Sequence, residues 1–269
     1  MSNEESLRHW SRLYRFTYSL HLIKQRIQSN RCGYKPKTGE RAKEIYQSFV
    51  EGEIYLTDAT TAEMVKLVEN SFRDVNIAFA NELSRVCDKL NLNVWEIIKL
   101  ANKHPRVNIL TPGPGVGGHC IAVDPLFIVE KAPNEASIIK TARCVNDSMP
   151  DYIVEKVERA VRKAKIKSPI IACLGITYKA GTGDLRESPA LKIVRRLRKK
   201  GYTVRACDPY IKDFAEFPLL SLEETVNGAD CLVLLVDHKE FKEIKLQEPL
   251  GRMRGNIIID ARGVWLSNE

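Results

Sequence analysis

The feature of this 269-residue sequence with the clearest chemical meaning is a single thiol in an unusual loop. Residues 111–125 read TPGPGVGGHCIAVDP, in which Gly113, Gly115, Gly117 and Gly118 alternate with prolines before Cys120 and Asp124. Such a run imposes an irregular backbone that lets a ligand approach closely and presents one side chain. A thiolate attacks carbonyl carbon and leaves readily from a thioester, so Cys120 is a candidate nucleophile in a partly exposed turn. The plainer alternative is a small thiol packed beside a tight turn. Gly113, Gly115 and Gly118 also satisfy GxGxxG, but no strand precedes them and Pro114 interrupts them, so a dinucleotide fingerprint is rejected. His119 does not make a Cys–His pair with its neighbour, because adjacent side chains rarely converge on one reacting atom.

Two further sets carry chemistry. Lys66 and Asn70 stand four apart in a helical stretch and therefore share a face. Together they can hold an oxyanion, or Lys66 can be a solvated lysine beside acidic neighbours. Residues 175–189, GITYKAGTGDLRESP, run from a strand end through glycines to a helix start, where Lys179, Arg186 and backbone amides can bind phosphate. Asp208 closes the following strand, at the position of a ribose-binding acid in a dinucleotide fold. An N-cap and an ordinary turn acid explain the same two features equally well.

The elements that position these residues change in kind along the chain. Residues 1–31 are irregular, with a helical pattern around Leu13 to Ile27. A short helix is expected from Lys37 to Val50, and Ile54 to Leu56 reads as a brief strand. Thr60, followed three residues later by Glu63, is the expected N-cap of a long helix that contains neither Gly nor Pro from Ala62 to Leu90. Further helices are expected over Val94 to Lys103, Ser137 to Asp147 and Asp151 to Ala164. Beyond Lys167 four apolar strands alternate with helices: Ile170–Leu174, Thr203–Cys207, Cys231–Val236 and Asn256–Asp260, with a helix over Glu187–Lys200 between the first two. That alternation predicts an α/β fold, a doubly wound parallel sheet with ligands beyond the strands' C-terminal ends. Lys179, Asp208 and Arg262 then lie along one edge.

Composition excludes several classes. The cysteines, at 32, 87, 120, 144, 173, 207 and 231, form no CxxC pair, which argues against a zinc site or disulfide framework. Of the net charge of +8, six units fall in residues 1–50, so a nucleic-acid footprint over the body is not expected. No apolar run reaches the roughly 20 residues of a membrane span, and the N-terminus lacks the order of a signal peptide, so a cytoplasmic protein with no membrane partner is expected.

Taken in order, TAEMVKLVEN, PRVNILTPGPGVGGHCIAVDP, GITYKAGTGDLRESPA and IIIDARGV resemble the UDP-glucose/GDP-mannose dehydrogenase family over residues 33–269. The loop form GVGGHCIAVDP is most similar to members acting on UDP-N-acetyl-D-mannosamine; UDP-glucose enzymes more often carry lysine where Val123 stands. The resemblance implies a helical dimerisation domain at 58–150 followed by a Rossmann-like UDP-binding domain at 151–269. It also implies an NAD-dependent, four-electron oxidation of the sugar C6 alcohol to an acid through a thioester on Cys120. Lys66 and Asn70 would stabilise the oxyanion, and Asp124 would handle water or a proton. Arg106, reaching in from the partner of a homodimer, would bind the UDP-sugar with Gly117, Lys179 and Arg262, while Arg186 would contact NAD. Family members carry an NAD-binding domain ahead of the long helix. On this reading residues 33–57 are the end of that domain, 1–31 are unassigned, and the chain alone is expected to be impaired in turnover. The alternatives are a non-catalytic UDP-sugar-binding or assembly module, or a 6-dehydrogenase fragment for UDP-glucose or UDP-N-acetylglucosamine.

Overall fold

The computed structural model describes residues 36–265, the side chains of 36–38 excepted. The segment 1–31, with the helical pattern at Leu13 to Ile27, and Cys32 lie outside the described residues. The chain divides into two compact units, one ending at Val68 and the other beginning at Glu69.

In the first unit, helix α1 (Pro36–Gln47) stops three residues short of the expected Val50 and gives way to a turn at Ser48 and Phe49. The strand expected at Ile54 to Leu56 does not form; Leu56 alone makes an isolated bridge. The long helix α2 (Ala59–Leu90) begins here, and its cap is Asp58 rather than Thr60. The Thr61 N–H donates to Asp58 Oδ1 at 2.9 Å and the Thr61 hydroxyl to Oδ2 at 2.5 Å. Those bonds hold the Asp58 carboxyl below its ordinary range. The helix starts at Ala59, so Asp58 stands at the N-cap position and accepts from Thr61 three residues on, while Thr60 is already the second helical residue. At 32 residues the helix is about 48 Å long.

The second unit contains the rest of α2, then α3 (Val94–Ala101), α4 (Asp124–Lys131) and α5 (Ser137–Lys163). Asn93 caps α3 by accepting from the amides of Trp95 and Glu96. Helix α4 was not foreseen: it is short, opens with Asp124-Pro125, and lacks a side-chain cap. The two helices expected on either side of Pro150 are one continuous helix of 27 residues. Proline removes one N–H and leaves the Asn146 carbonyl without its intrahelical donor, but burial of Met149 and Pro150 keeps the helix unbroken.

The second half of α5 packs on a four-stranded sheet, β1 (Ile170–Leu174), β2 (Thr203–Cys207), β3 (Cys231–Leu234) and β4 (Ile257–Asp260), ordered β2-β1-β3-β4 and parallel throughout. Alternation along the strands makes two cores. Ile171, Cys173, Cys231 and Val233 face Ile153, Val157 and Val161 of α5 and the buried side of α6 (Pro189–Lys199). Ala172, Leu174, Leu232 and Leu234 face Val226 of α7 (Leu222–Val226), Phe241 of α8 (Lys239–Lys242) and Trp265. A further short helix, α9 (Gln247–Arg252), precedes β4. Burial pushes the Cys207 and Cys231 thiols up to about 12, and Cys173 rises further still, so these three cysteines behave as small hydrophobes. Among the described residues no helix is long and apolar enough to cross a membrane, and no group of three His, Cys, Asp or Glu is placed to hold a metal.

Candidate functional site

The glycine-rich loop is fastened from beneath by buried amides of α2 and α5. Asn81 Oδ1 accepts the Gly113 N–H at 2.8 Å, and Asn81 Nδ2 donates to Asn146 Oδ1 at 2.8 Å. Asn146 Nδ2 in turn donates to Asp74 Oδ1 at 2.8 Å, and Arg143 Nη1 pairs with the same oxygen at 2.5 Å. All four side chains are buried, so the bonds they make to one another are what offsets their desolvation; Asp74 Oδ2 and Arg143 Nε remain buried without a hydrogen-bond partner among the described residues. Burial raises the Asp74 pKa above the usual carboxylate range, against the opposing pull of Arg143 and Asn146. Gly115, at φ 128°, seats the loop on α5 beside Pro150: a Cβ there would lie 3.1 Å from the Asn146 carbonyl oxygen and 3.5 Å from Pro150 Cδ.

At the far end of the loop, Cys120 is buried, 5% exposed, rather than partly exposed as its glycine context suggested. The backbone turns tightly over it, with the Val123 and Asp124 amides donating to the Cys120 carbonyl at 2.9 and 2.7 Å. His119 is exposed while its neighbour Cys120 is buried. Asp124 opens α4 with its carboxylate fully buried, and Asn70 Nδ2 donates to Asp124 Oδ2. Arg73 Nη2 donates to Asn70 Oδ1. Because a guanidinium only donates, this contact fixes the amide orientation, turning the Asn70 carbonyl to Arg73 and one N–H to Asp124 Oδ2. Sequence spacing gave no sign of Arg73, since a lysine or arginine one turn along a helix is ordinary surface. Lys66 is half-buried on the same helix, in the first unit.

The strand edge meets this loop at both ends. The Gly118 N–H donates to the Arg186 carbonyl at 3.0 Å. Gly117 and Gly118 lie under Tyr178, so that a Cβ on Gly117 would stand 2.9 Å from Tyr178 Cβ and 2.6 Å from the Glu187 carbonyl oxygen. Glu187 itself has φ 50°, a left-handed conformation held between Arg186 and the α6 cap Ser188. Lys179 Nζ is exposed and sits 5.4 Å over the Tyr178 ring. At the loop's start Gly113 leaves room for the Arg262 guanidinium, whose Nη1 a Cβ would strike. Arg262 is held by Asp237, Nε and Nη2 each 3.0 Å from Oδ1. The glycines thus bring Cys120, Asn70 and Asp124 into one assembly with Lys179 and Arg262.

Three further residues of the sequence reading lie outside this assembly. Asp208 is not a ribose acid: it is buried, and its carboxylate accepts from the amides of Ile176 (2.8 Å), Thr177 (3.2 Å) and Tyr210 (2.9 Å) and from His238 Nε2 at 3.2 Å. Burial alone would raise its pKa, but these bonds hold it below the usual range. Arg186 is exposed, with Nε and Nη2 on Asp184 at 3.0 and 2.6 Å, and that bond raises its pKa. Arg106 stands in an exposed turn after α3 and makes no ion pair among the described residues.

Comparison with known proteins matches residues 60–148 to the central domain of the UDP-glucose/GDP-mannose dehydrogenase family and residues 172–267 to its UDP binding domain. The chain is 48% identical over 252 residues to a UDP-N-acetyl-D-mannosamine dehydrogenase of Methanococcus maripaludis, covering 92% of this chain and 58% of that protein. It is 49% identical over 252 residues to an NDP-N-acetyl-D-galactosaminuronic acid dehydrogenase of Ralstonia nicotianae, covering 91% and 58%. Among solved structures it is similar to a UDP-D-ManNAc dehydrogenase from Pyrococcus horikoshii, with TM-score 0.82 and 45% identity over 90% of this chain and 58% of that one. The chain therefore spans somewhat more than half the length of the relatives it matches.

Proposed function

Since the chain belongs to the UDP-glucose/GDP-mannose dehydrogenase family across its central and UDP-binding domains, we propose that it handles the UDP-sugar and carbon chemistry of a UDP-N-acetyl-D-mannosamine 6-dehydrogenase. The observation that carries this reading is the glycine-rich loop, which joins Cys120 to the Asn70–Asp124 pair on one side and to Arg262 and Tyr178–Lys179 on the other. The names of the similar proteins support an N-acetylated hexosamine as the sugar.

Cations at the strand edge suit a nucleoside diphosphate, with Arg262 against Gly113 and Lys179 over the Tyr178 ring that covers Gly117 and Gly118 receiving the phosphates. The sugar C6 then lies toward Cys120. The thiolate adds to the C6 aldehyde carbon, making a C–S bond, and the oxygen that gains charge is met by Asn70 N–H and, by family resemblance, Lys66. The thioester is opened by water, whose proton passes to the Asp124 carboxylate as the C–S bond breaks.

Members of the family use NAD, which supplies the hydride acceptor for both oxidations. The described residues do not themselves form a dinucleotide site: the glycines at 113–118 follow no strand, and the Asp208 carboxylate is already taken up. Arg186, exposed beside the loop, is the residue we assign to the cofactor's phosphate side.

The dimer reading rests on α2 and α5. Phe72, Phe79 and Val86 recur every seven residues and are 66%, 50% and 47% exposed, and Ile138 is 71% exposed. Phe79 and Ile138 border a groove of about 280 Å³ with Val75, Ala78 and Val145. Such a face suits a second copy of the chain, whose Arg106 would reach the site. The test is calorimetric titration of the purified chain with UDP, together with its mass in solution. Micromolar binding by a dimer supports the reading; absence of UDP binding overturns it.

A further inference from the structure

The segment that follows β3 lies between the two edges that carry Lys179 and Arg262, because β3 pairs with β1 on one side and β4 on the other. Its backbone is tied to both: the Leu235 amide donates to the Leu174 carbonyl at 2.9 Å, and the Ala261 amide donates to the Leu234 carbonyl at 3.1 Å. Val236 lies directly against Gly175, where a Cβ would stand 2.7 Å from Val236 Cγ2. Two polar residues come next, Asp237 and His238, and each reaches toward a different neighbour.

Asp237 reaches the β4 side. Its Oδ1 accepts from Arg262 Nε and Nη2, both at 3.0 Å, while Oδ2 pairs with Lys242 Nζ at 2.8 Å. Holding the guanidinium by Nε and Nη2 leaves Nη1 as the outward edge, and Nη1 is the atom against Gly113.

His238 reaches the β1 side and is fully buried, stacked on Tyr210 with ring centres 4.8 Å apart. Its Nδ1 accepts the Gly181 N–H at 3.2 Å, so the ring proton must reside on Nε2. Nε2 faces Thr177 Oγ1 at 3.0 Å and Asp208 Oδ2 at 3.2 Å. The Thr177 hydroxyl is free to accept there because its own proton goes to the Lys179 carbonyl, 3.1 Å away. One imidazole therefore closes both ends of the turn 177–181, which presents Tyr178 and Lys179 to the glycine-rich loop.

We infer that Asp237 and His238 are a pair of positioning residues for the nucleotide diphosphate: Asp237 aims Arg262 and His238 holds the turn carrying Lys179, so that one dipeptide sets both cations against the same glycine-rich loop. The inference rests on the proposed UDP site and deepens it. Neither residue touches the ligand; each acts through the cation it fixes. The alternative role for Asp237 is simple charge balance between Arg262 and Lys242, and the two roles have opposite consequences. Removing a carboxylate near a phosphate site raises the local positive potential and strengthens anion binding if only the field matters. Removing it weakens binding if aim matters.

The experiment titrates UDP and UMP into the intact chain and into Asp237→Asn, His238→Phe and His238→Asn. Asparagine places a polar atom near the position of Nδ1 and can accept from Gly181, whereas phenylalanine keeps the ring and loses both bonds. Positioning predicts that Asp237→Asn and His238→Phe each weaken UDP binding by about tenfold or more, the size of a lost charge-assisted contact. UMP, with one phosphate fewer, loses less, and His238→Asn recovers most of the UDP affinity. A double-mutant cycle separates aim from general stability: in an Arg262→Met background Asp237→Asn has no further effect, and in a Lys179→Met background His238→Phe has none. Amide exchange at Gly181 accelerates in His238→Phe and is restored in His238→Asn. Tighter UDP binding by Asp237→Asn, additive cycles, or variants that bind like wild type overturn the inference alone. A wild type that does not bind UDP overturns the proposed function and this inference with it.

Discussion

Replacing Asn81 by leucine tests how the glycine-rich loop is held. Leucine matches asparagine closely in size, so the change removes polarity with little change of packing. Asn81 is fully buried and serves two partners, accepting the Gly113 N–H and donating to Asn146 Oδ1, each at 2.8 Å. Gly113 and Asn146 are themselves buried, so water does not replace the lost bonds. Each group left unpaired costs about 1–3 kcal/mol. The extra apolar burial of leucine offsets a part, leaving a net loss of roughly 2–5 kcal/mol by the same estimates. For a unit of this size that corresponds to a fall in melting temperature of about 5–15 °C. The control is Asn76→Leu, which removes an equivalent pair of bonds, to the Asn108 carbonyl at 3.1 Å and from the Leu110 amide at 2.9 Å, at a less enclosed position. There solvent reaches the freed groups and the loss is about 1 kcal/mol or less. Urea unfolding followed by circular dichroism, with the slope checked for constancy, measures both. An Asn81→Leu protein within about 0.5 kcal/mol of wild type, or one no worse than Asn76→Leu, would refute the claim that buried amides carry the loop.

Gly113→Ala and Gly117→Ala should differ in kind. At Gly113 the added methyl meets only the Arg262 side chain and no backbone, so UDP affinity falls while the melting temperature changes little; at Gly117 it meets the Glu187 backbone at 2.6 Å, and stability falls by about 1–3 kcal/mol. In a preparation that turns over, Cys120→Ser should stop acid formation, because an alkoxide ester does not form and open as a thioester does; product analysis showing normal uronic acid would remove Cys120 from the chemistry. Asp208 and Asp230 are both held below the ordinary carboxylate range, Asp208 by His238 and backbone amides against its burial, and Asp230 by Arg254. Depressed folded-state values mean stability that is fully present above about pH 4, the unfolded carboxylate range, and lost as pH falls below it. Urea midpoints between pH 3 and 7 should show that decline, and Asp230→Asn should flatten it.

The sheet was largely legible in the sequence because its strands are short apolar runs bounded by turn residues, and that pattern has few other solutions. Ile170–Leu174 and Thr203–Cys207 were read to the residue. The Ser137–Lys163 helix was read as two because a proline is locally a helix breaker, and only the packing of Met149 and Pro150 keeps it whole. Helix α4 was missed because its eight residues carry neither a side-chain cap nor a full amphipathic period. Cys120 and Asp124 stood out through their glycine and proline context. Arg73 did not, because a basic residue one turn from Asn70 looks like ordinary helix surface, and Asp237 and His238 did not, because their partners lie up to 61 residues away, as with Thr177 and His238. Asp208 stays open in the sequence for a related reason: a strand-end acid looks the same whether it faces a ligand or its own backbone, and the structure selects the second.

The unbroken helix through Pro150 has a mechanical consequence. One end of it is bolted to the buried amides under the glycine-rich loop and the other to the sheet, so it acts as a common axle for both. A single residue inserted near its middle would turn one end by about 100° relative to the other and advance it by about 1.5 Å. Either core could be re-formed only by dislodging the other. The length of this helix is thus a gauge that a grafted or shuffled version of the protein must keep to the residue.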